Sequence, residues 1–338
     1  MPKNVTIRDI AAAAGVSIAL VSFVMNNRIE ANGKQKYRVN ESTREKILEV
    51  AKKLNYQPNS AARTLRRGRS LVIGVILSDI SNTFYGEMAR QLEDVAFKHG
   101  YTVLFGSSDE NPEKFERIMQ SFIDRGVEGF IVVPCEGAEK SLRHILNVGI
   151  PFVVLDRKEM DVPAPKIVLD NVNSMRSAVD YLIGKGIRKI EMVSYTMRVS
   201  SIKDREEGYL TAMRMAGMPE SGLMIHRLPF EDIETSTERL MPSVVERGVE
   251  GIVFATNSLA ISGVIMLTRL GVKIQKDIHL VGFDNSDVYS LFSPPIPHVS
   301  QPICDFCKKA FSILQELIDG EREQKSVIVT LKGSLLEF

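Results

Sequence analysis

The sequence predicts an α/β core of two lobes, each a doubly wound parallel sheet, preceded by a small all-α helix-turn-helix domain. Three observations predict this fold class. From residue 71 onward, short runs of strand-forming residues alternate with amphipathic helical stretches, a pattern typical of parallel sheets with βαβ crossovers. These runs are numerous enough for two sheets. The first 70 residues instead show helical spacing and carry 14 Lys and Arg against 5 Asp and Glu, whereas the remainder carries 29 against 37.

This charge asymmetry limits the class of partner. A basic head on an acidic body indicates a polyanion that binds at one end only. A solubilising tail is the alternative, but tails lack the helix-like apolar spacing that this head has. The overall composition, 44% apolar and 25% charged over 338 residues, is ordinary for a globular protein of two or three domains.

Targeting and redox signals favour the cytoplasm. No apolar run reaches the roughly 18 residues of a membrane span, and the first residues lack the apolar centre of a signal peptide. The three cysteines make no disulfide framework. Cys304 and Cys307 form a Cys-x-x-Cys, but no second Cys or His pair lies nearby in sequence. We therefore expect a structural pair, no metal site and no cofactor.

The head, residues 1–58, is predicted to contain three helices. The first spans 7–14 with Thr6 as its cap, and Gly15 supplies the tight turn that follows. The second spans 18–26 behind Ser17, and the third spans 41–54 behind Asn40. Residues 59–70 form a hinge helix or linker, because a short run of small and basic residues there ends at Gly68.

The core is predicted to span residues 71–338. Lobe 1 spans about 71–170 plus 299–327, and lobe 2 about 171–298 plus 328–338. The predicted strands are 71–77, 102–105, 129–133, 152–155, 189–193, 251–254 and 278–283, with helices such as 84–98, 113–125 and 173–185 between them.

Two short helices joined by a glycine turn form a helix-turn-helix when their inner positions are apolar. Residues 10, 14, 16, 21 and 24 meet this condition. The second helix would lie in the major groove of DNA. It offers Ser17, Ile18, Ala19, Ser22, Phe23 and Asn26.

The head resembles that of the lactose-repressor (LacI/GalR) family of bacterial transcriptional regulators. The matching stretches are Val5–Ala11, Ala14–Ser17, Val21–Ser22, Asn26–Asn27, Thr43–Ile47 and Tyr56–Leu65. The resemblance continues through the core and implies a fold like that of periplasmic sugar-binding proteins. It also implies a homodimer, with a tetramer left open, on a pseudo-palindromic double-stranded DNA operator. The remaining DNA-binding residues that it implies are Thr6, Asn59, Ala62, Arg63, Leu65 and Arg66, with Leu65 as a minor-groove wedge.

Two positions of the second helix depart from the family pattern. Leu20 replaces the usual Thr, and Phe23 replaces a base-reading Arg. Arg to guanine is the commonest specific contact, whereas Ile18, Ala19 and Phe23 can only touch thymine methyl groups. We therefore expect an A·T-leaning half-site or weaker direct readout.

The core places polar residues after its strands, where ligands of parallel sheets bind. Hydroxyl groups of a sugar need bidentate donors and acceptors, and its apolar face needs an aromatic ring. The string 205–209 matches the family's Arg-x-x-Gly-aromatic ligand motif, while Ser258 replaces an Asp that usually follows Asn257. Arg157 beside Asp156 slightly favours an anionic group on the ligand. The predicted effector-binding residues are Asp79, Phe84, Asp156, Arg157, Arg205, Phe230, Asn257 and Asp284.

The basic head and the family resemblance together predict a repressor of carbohydrate-utilisation genes whose operator binding is controlled by a small sugar-like effector. Three other functions are alternatives to this prediction. A plain sugar-binding sensor predicts a signal peptide and no basic head. An enzyme on a doubly wound sheet predicts a glycine-rich turn after the first strand, but residues 77–80 contain no glycine, and we expect no enzymatic activity. An activator, or a regulator with a co-repressor, fits the same sequence as a repressor.

Overall fold

The structure is a computed structural model that describes residues 5–25, 39–56 and 68–337. The chain divides into two compact units, Met1–Arg69 and Ser70–Phe338, each described by itself below. We call them the head and the core.

The described head residues form the three predicted helices, α1 (Ile7–Ala14), α2 (Ile18–Met25) and α3 (Glu41–Lys53). Local side chains set their starts. The Thr6 backbone N–H and hydroxyl both donate to the Asp9 carboxylate at 2.7 Å, and Asn40 accepts a hydrogen bond from the backbone of residue 42 at 3.3 Å. Gly15 ends α1 with a φ of 68°, a left-handed conformation that glycine adopts without steric cost.

The three helices share one apolar core. Ile10, Val21 and Ile47 are fully buried, and Ala14 and Val24 lie beside them. These residues stand at the inner positions that the helix-turn-helix pattern predicts. The aromatic ring of Phe23 also belongs to this core.

The first lobe of the core contains a six-stranded, fully parallel sheet. Its strand order is β11-β5-β4-β3-β1-β2. The strands are β1 (Val72–Leu77), β2 (Thr102–Ser107), β3 (Gly129–Val132), β4 (Phe152–Leu155), β5 (Pro165–Leu169) and β11 (Val327–Leu331). The helices are α4 (Thr83–Lys98), α5 (Pro112–Asp124), α6 (Glu139–Asn147) and α11 (Ile303–Ile318).

The second lobe repeats this architecture. Its strand order is β12-β10-β9-β8-β6-β7, and only the β10–β12 pair is antiparallel. The strands are β6 (Ile190–Tyr195), β7 (Met224–Leu228), β8 (Gly251–Phe254), β9 (His279–Phe283), β10 (His298–Ser300) and β12 (Ser334–Leu336). The helices are α7 (Asn171–Gly184), α8 (Ser200–Met215), α9 (Ile233–Glu246) and α10 (Asn257–Arg269), with single 3-10 turns at Glu220–Gly222, Phe230–Asp232 and Asp287–Leu291.

The chain crosses between the lobes three times, after β5, after β10 and after β11. The predicted boundaries of lobe 1, at 299 and 327, differ from this arrangement. Residues 298 and 299 pair with β9 of lobe 2, and residues 327–331 pair with β5 of lobe 1. Both strands border a crossing between the lobes, so periodicity alone does not assign them to a sheet.

The Cys-x-x-Cys lies in the first turn of α11, which packs on α4. Cys304 is exposed, whereas the buried thiol of Cys307 donates to the backbone carbonyl of Met88 at 3.5 Å. Burial raises the pKa of the Cys307 thiol well above its usual value. Both cysteines are free thiols.

Candidate functional site

A cavity of about 50 Å³ lies between the two lobes at the carboxyl ends of their strands. It has room for a few water molecules. Six predicted effector residues line it: Phe84, Asp156, Arg157, Arg205, Phe230 and Asp284.

Asp156 brings an unpaired acceptor to the first-lobe wall. It follows β4 with a φ of 65°, a left-handed conformation that Asp tolerates better than most residues. Its Oδ2 accepts a hydrogen bond from the Tyr85 hydroxyl at 3.2 Å, but its buried Oδ1 has no hydrogen-bond partner among the described residues. Burial, reinforced by the Asp156 charge, raises the pKa of Tyr85 well above its usual value, so Tyr85 stays a neutral donor.

The charge of Arg157 is matched within the protein. Its Nη1 donates to Glu110 at 2.9 Å, its Nη2 donates to the other oxygen of the same carboxylate, and Nη1 also reaches the Pro134 carbonyl. Burial opposes the charged form, but the Glu110 carboxylate raises the pKa of Arg157, so Arg157 stays charged. The Nε of Arg157 has no partner in the described part of the chain. Arg157 therefore offers a ligand one N–H donor rather than a free positive charge.

Arg205 is fixed on the second-lobe wall by contacts on three sides. Its Nε donates to Asn171 at 2.8 Å and its Nη1 to the Ala255 carbonyl at 2.6 Å. Its guanidinium lies 3.7 Å from the ring centre of Phe283, a cation–π contact. The predicted ligand arginine is therefore held in one orientation at the cavity.

Asp284 is the second-lobe counterpart of Asp156. It follows β9 with a φ of 64°, and its Oδ1 accepts a hydrogen bond from the Gln301 side-chain amide at 2.5 Å. Burial raises the pKa of Asp284, while the charge of Arg205 counteracts this rise. The Oε1 of Gln301 has no partner among the described residues.

Three buried polar atoms at one cavity thus lack partners in the described structure: Asp156 Oδ1, Arg157 Nε and Gln301 Oε1. A buried polar atom left without a hydrogen bond costs about 1–3 kcal/mol. Two acceptors and one donor suit the hydroxyl groups of a sugar, each of which both donates and accepts. Phe84, Tyr195 and Phe230 add aromatic surface for the apolar side of a ring.

The asparagine bridge, formed by Asn82, Thr83, Asn257 and Ser258, joins the lobes on one side of the cavity. The amide of Asn257 donates to Asn82 at 3.1 Å and to Thr83 at 2.7 Å. The amide of Asn82 in turn donates to the Ser258 hydroxyl at 3.3 Å. Asn257 is therefore buried between the lobes and does not line the cavity in this arrangement, so its contact with the effector stays a prediction.

The lysine bridge, formed by Lys158, Ser200 and Asp204, also joins the lobes. The backbone N–H of Lys158 donates to the Ser200 hydroxyl at 3.0 Å, and its ammonium forms an ion pair with Asp204. Two bridges therefore connect lobe 1 to lobe 2 beside the cavity.

Asp79 is the other predicted effector residue that does not line the cavity. Its carboxylate accepts from the backbone N–H of Ser81 at 2.9 Å and from the hydroxyl of the same residue at 2.6 Å. This Asx-type turn leads into α4, so Asp79 has the structural role that strand-end polar residues often have. The contact of Asp79 with the effector therefore stays a prediction.

Sequence reasoning missed several lining residues. Glu110 was detectable, because it lies in the loop that follows β2, at the same end of the sheet as Asp156 after β4. Gln301 was harder to find, because β10 before it has only three residues. The missed polar and aromatic lining residues are Ser78, Asn82, Tyr85, Glu110, Tyr195, Ser201, Thr256 and Gln301.

The head presents part of its predicted DNA-binding surface. Thr6, Ser17, Ile18 and Ala19 are exposed, and Ser22 is half-buried. Phe23 is only 9% exposed and packs in the head core, so the predicted base contact by Phe23 is not supported and the residue acts in packing. The other predicted contacts lie outside the described residues: Asn26, Asn59, Ala62, Arg63, Leu65 and Arg66.

The described residues contain no cluster suited to a metal ion, since no group of three or more His, Cys, Asp or Glu residues there could hold one. No single helix in the same ranges is long and apolar enough to cross a membrane. Helices α1 and α2 reach the necessary length and apolar character only together, across a bend of 111°.

Comparison with known proteins places both units. Residues 6–59 match the family model described as bacterial regulatory proteins, lacI family, and residues 179–337 match a periplasmic binding protein-like domain. The HTH-type transcriptional regulator RegA of Clostridium saccharobutylicum is 30% identical over 334 residues, 98% of each chain. The ribose operon repressor of Halalkalibacterium halodurans is 31% identical, covering 89% of this chain and 86% of its own.

A solved structure supports the same fold. The Lac repressor dimer bound to operator and the anti-inducer ONPF superimposes with a TM-score of 0.82, at 21% identity, over 99% of this chain and 98% of its own. The family model covers the helix-turn-helix, and RegA matches this chain along nearly its whole length. The chain belongs to the lacI family of bacterial regulatory proteins.

Proposed function

We propose that the chain is a transcriptional repressor of carbohydrate-utilisation genes whose affinity for its operator is set by a small sugar or sugar derivative. The observation that carries the proposal is the cavity between the lobes, where Asp156, Arg157 and Gln301 each present a buried atom that has no hydrogen-bond partner among the described residues. Family membership and the exposed start of α2 support the DNA-binding half. The repressors among the relatives support the direction of control.

The lobes couple the effector to DNA in this proposal. About 50 Å³ is far less than the roughly 300 Å³ at which typical ligand pockets begin, so the lobes must separate to admit a sugar. The asparagine bridge and the lysine bridge then form again or stay broken, depending on which ligand occupies the cavity. A change in the angle between the lobes would move the hinge, residues 59–70, and shift the two heads between DNA-competent and incompetent arrangements.

The protein acts as a homodimer in the cytoplasm, at the nucleoid, in this proposal. A two-fold protein suits a pseudo-palindromic operator, because each head reads one half-site. The operator-bound dimer among the structural neighbours has the same fold. A tetramer is left to measurement, and we assign the chain no enzymatic activity.

The deciding experiment is operator binding by the purified full chain, on fragments of its own promoter region, in rising salt and with a panel of sugars. The expected result is salt-sensitive binding to a palindrome that one class of sugar changes. Sugar binding without any site-specific DNA binding would instead support a sensor without sequence readout. The start of α2 favours this sensor function, because Ile18 and Ala19 are exposed but their side chains cannot donate or accept hydrogen bonds to base edges.

A further inference from the structure

A groove of about 500 Å³ opens on lobe 2 beside the cavity. Its walls come from the loop after β6, from the first two turns of α8 and from β7. It shares three lining residues with the cavity, Tyr195, Met197 and Ile202. A molecule seated in the cavity can therefore continue into the groove along a common wall.

The groove carries positive charge that the protein does not neutralise. Arg198 and Lys203 both line it and both are exposed. Neither side chain has a hydrogen bond or ion pair within the part of the chain that the structure describes. A third cation, Arg227, is instead tied to Glu206 by hydrogen bonds of 3.0 and 2.6 Å. Two positive charges thus remain available to a ligand.

The cavity has the opposite character. Three carboxylates, Glu110, Asp156 and Asp284, line it with two guanidiniums, Arg157 and Arg205. Both guanidiniums are already held by the protein, Arg157 by Glu110 and Arg205 by Asn171 and a backbone carbonyl. An anionic group would therefore be repelled inside the cavity and attracted in the groove.

We infer that the effector is a sugar with an anionic substituent, a phosphate ester or a carboxylate, that seats its hydroxyl groups in the cavity and its anion between Arg198 and Lys203. This inference rests on the proposed function and narrows its ligand class. The sequence indicated that Arg157 binds an anionic group of the ligand. The inference assigns that role instead to Arg198 and Lys203 in the neighbouring groove. Arg presents a planar fork that matches phosphate or carboxylate oxygens, and Lys adds a mobile point charge.

Calorimetric titration of the full chain with matched ligands tests the inference. The probes are ribose against ribose 5-phosphate, glucose against glucose 6-phosphate, and glucuronate as the carboxylate. At low salt, at least one anionic member is expected to bind about tenfold or more tightly than its neutral parent. A preference for the phosphates or for glucuronate identifies which anion the groove takes.

Two variants locate the anion. Arg198→Gln and Lys203→Gln are each expected to weaken binding of the anionic sugar about 1.4- to fivefold, the range for exposed charge pairs, and to leave binding of the neutral parent unchanged. Both side chains are exposed, so neither variant threatens folding. Lys276→Gln, an exposed lysine of lobe 2 that does not line the groove, is the matched control and should bind like the parent protein.

Three results would overturn the inference. In the first, neutral sugars bind as tightly as their anionic partners and alter operator binding, so the proposed function stands without an anion site. In the second, inorganic phosphate binds as tightly as the sugar phosphates, which identifies a general cationic patch. In the third, no sugar of either kind binds or alters operator affinity, and the proposed function fails as well.

Discussion

At the scale of single residues, the site is defined by three buried polar atoms, one each on Asp156, Arg157 and Gln301, that have no hydrogen-bond partner among the described residues. Asp156 is the clearest case, since one carboxylate oxygen is satisfied by Tyr85 and the other by no described residue. Its backbone conformation holds that oxygen at the cavity. Asp79, by contrast, accepts two hydrogen bonds from Ser81 on one carboxylate oxygen and does not line the cavity in this arrangement of the lobes.

Asp156→Asn tests this interpretation. The change keeps the shape of the side chain and its acceptor for Tyr85, but replaces a charged acceptor at the cavity by an amide group. We expect effector affinity to fall about tenfold to a hundredfold, the equivalent of roughly 1–3 kcal/mol. Calorimetry measures the loss, and operator affinity without effector should stay the same. Asp79→Asn is the matched control, and an equal loss there would contradict the assignment.

At the scale of elements, close helix packing explains part of the Arg-x-x-Gly-aromatic string. Gly208 lies on α8 where it faces α7, and a Cβ there would come within 2.3 Å of the Val172 carbonyl oxygen. The glycine lets the two helices approach, and this approach sets where Arg205, one turn earlier, enters the cavity. The motif therefore combines a ligand residue with the packing that positions it.

Gly208→Ala is expected to lower the free energy of unfolding by about 1–3 kcal/mol, because backbone must move to admit the methyl group. Urea denaturation of the full chain measures the change. Gly184→Ala is the matched control, since Gly184 ends the neighbouring helix α7 and a Cβ there would meet nothing within 4 Å. That variant should be neutral or slightly stabilised. Equal effects of the two substitutions would argue against close packing at Gly208.

A buried ion cluster ties β6 to β7 and to the end of α9. Glu191 contacts the His226 ring nitrogen at 2.7 Å and accepts from Arg247 at the same distance. Burial acts to raise the pKa of Glu191, but hydrogen bonds from His226 and Arg247 lower it overall. A lowered carboxyl pKa stabilises the fold above the unfolded-state value of about 4.5, and this contribution is lost as the pH falls through the folded-state pKa.

Glu191→Gln should therefore destabilise the protein by about 1–3 kcal/mol at pH 7 and by progressively less below pH 4.5. Chemical denaturation at a series of pH values measures both effects. Glu246→Gln, at an exposed position of α9, should leave the curves unchanged. A difference that stays constant down to pH 3 would mean that the carboxylate charge is not the cause.

At the scale of the whole molecule, the sequence predicts the individual strands and helices better than it predicts where the chain crosses between the lobes. Long runs such as 72–77 and amphipathic helices such as 83–98 have a clear period and match the structure closely. The crossings depend on three-residue β10 and on β11, whose sheet partner lies more than 150 residues earlier in the chain. No local pattern encodes such a pairing.

The same distinction applies to the cavity. Among the predicted effector residues, those directly after strong strands, such as Asp156 and Asp284, do line the cavity. Gln301 and Tyr85 reach the cavity from a crossing and from the inner face of α4, where a polar or aromatic side chain serves packing and capping as often as ligand binding. Asn257 is recognisable as important, but its contact across the lobes depends on Asn82, 175 positions earlier.

The bridges predict how the lobes move. Asn257→Ala combined with Lys158→Ala removes the hydrogen bonds of Asn257 across the cleft and the ion pair of Lys158 with Asp204. Because a ligand and a bridge stabilise the same closed arrangement, losing the bridge shifts the unliganded protein toward an open one, while saturating effector restores closure.

We expect the double variant to show a larger radius of gyration than the parent protein in small-angle X-ray scattering without effector. The two should converge with effector, and effector affinity should fall about tenfold, because part of its binding energy now closes the lobes. Lys140→Ala, at an exposed position of lobe 1, is the control. Identical scattering from parent and variant in both conditions would show that the hydrogen bonds of Asn257 and the ion pair of Lys158 with Asp204 do not set the angle between the lobes.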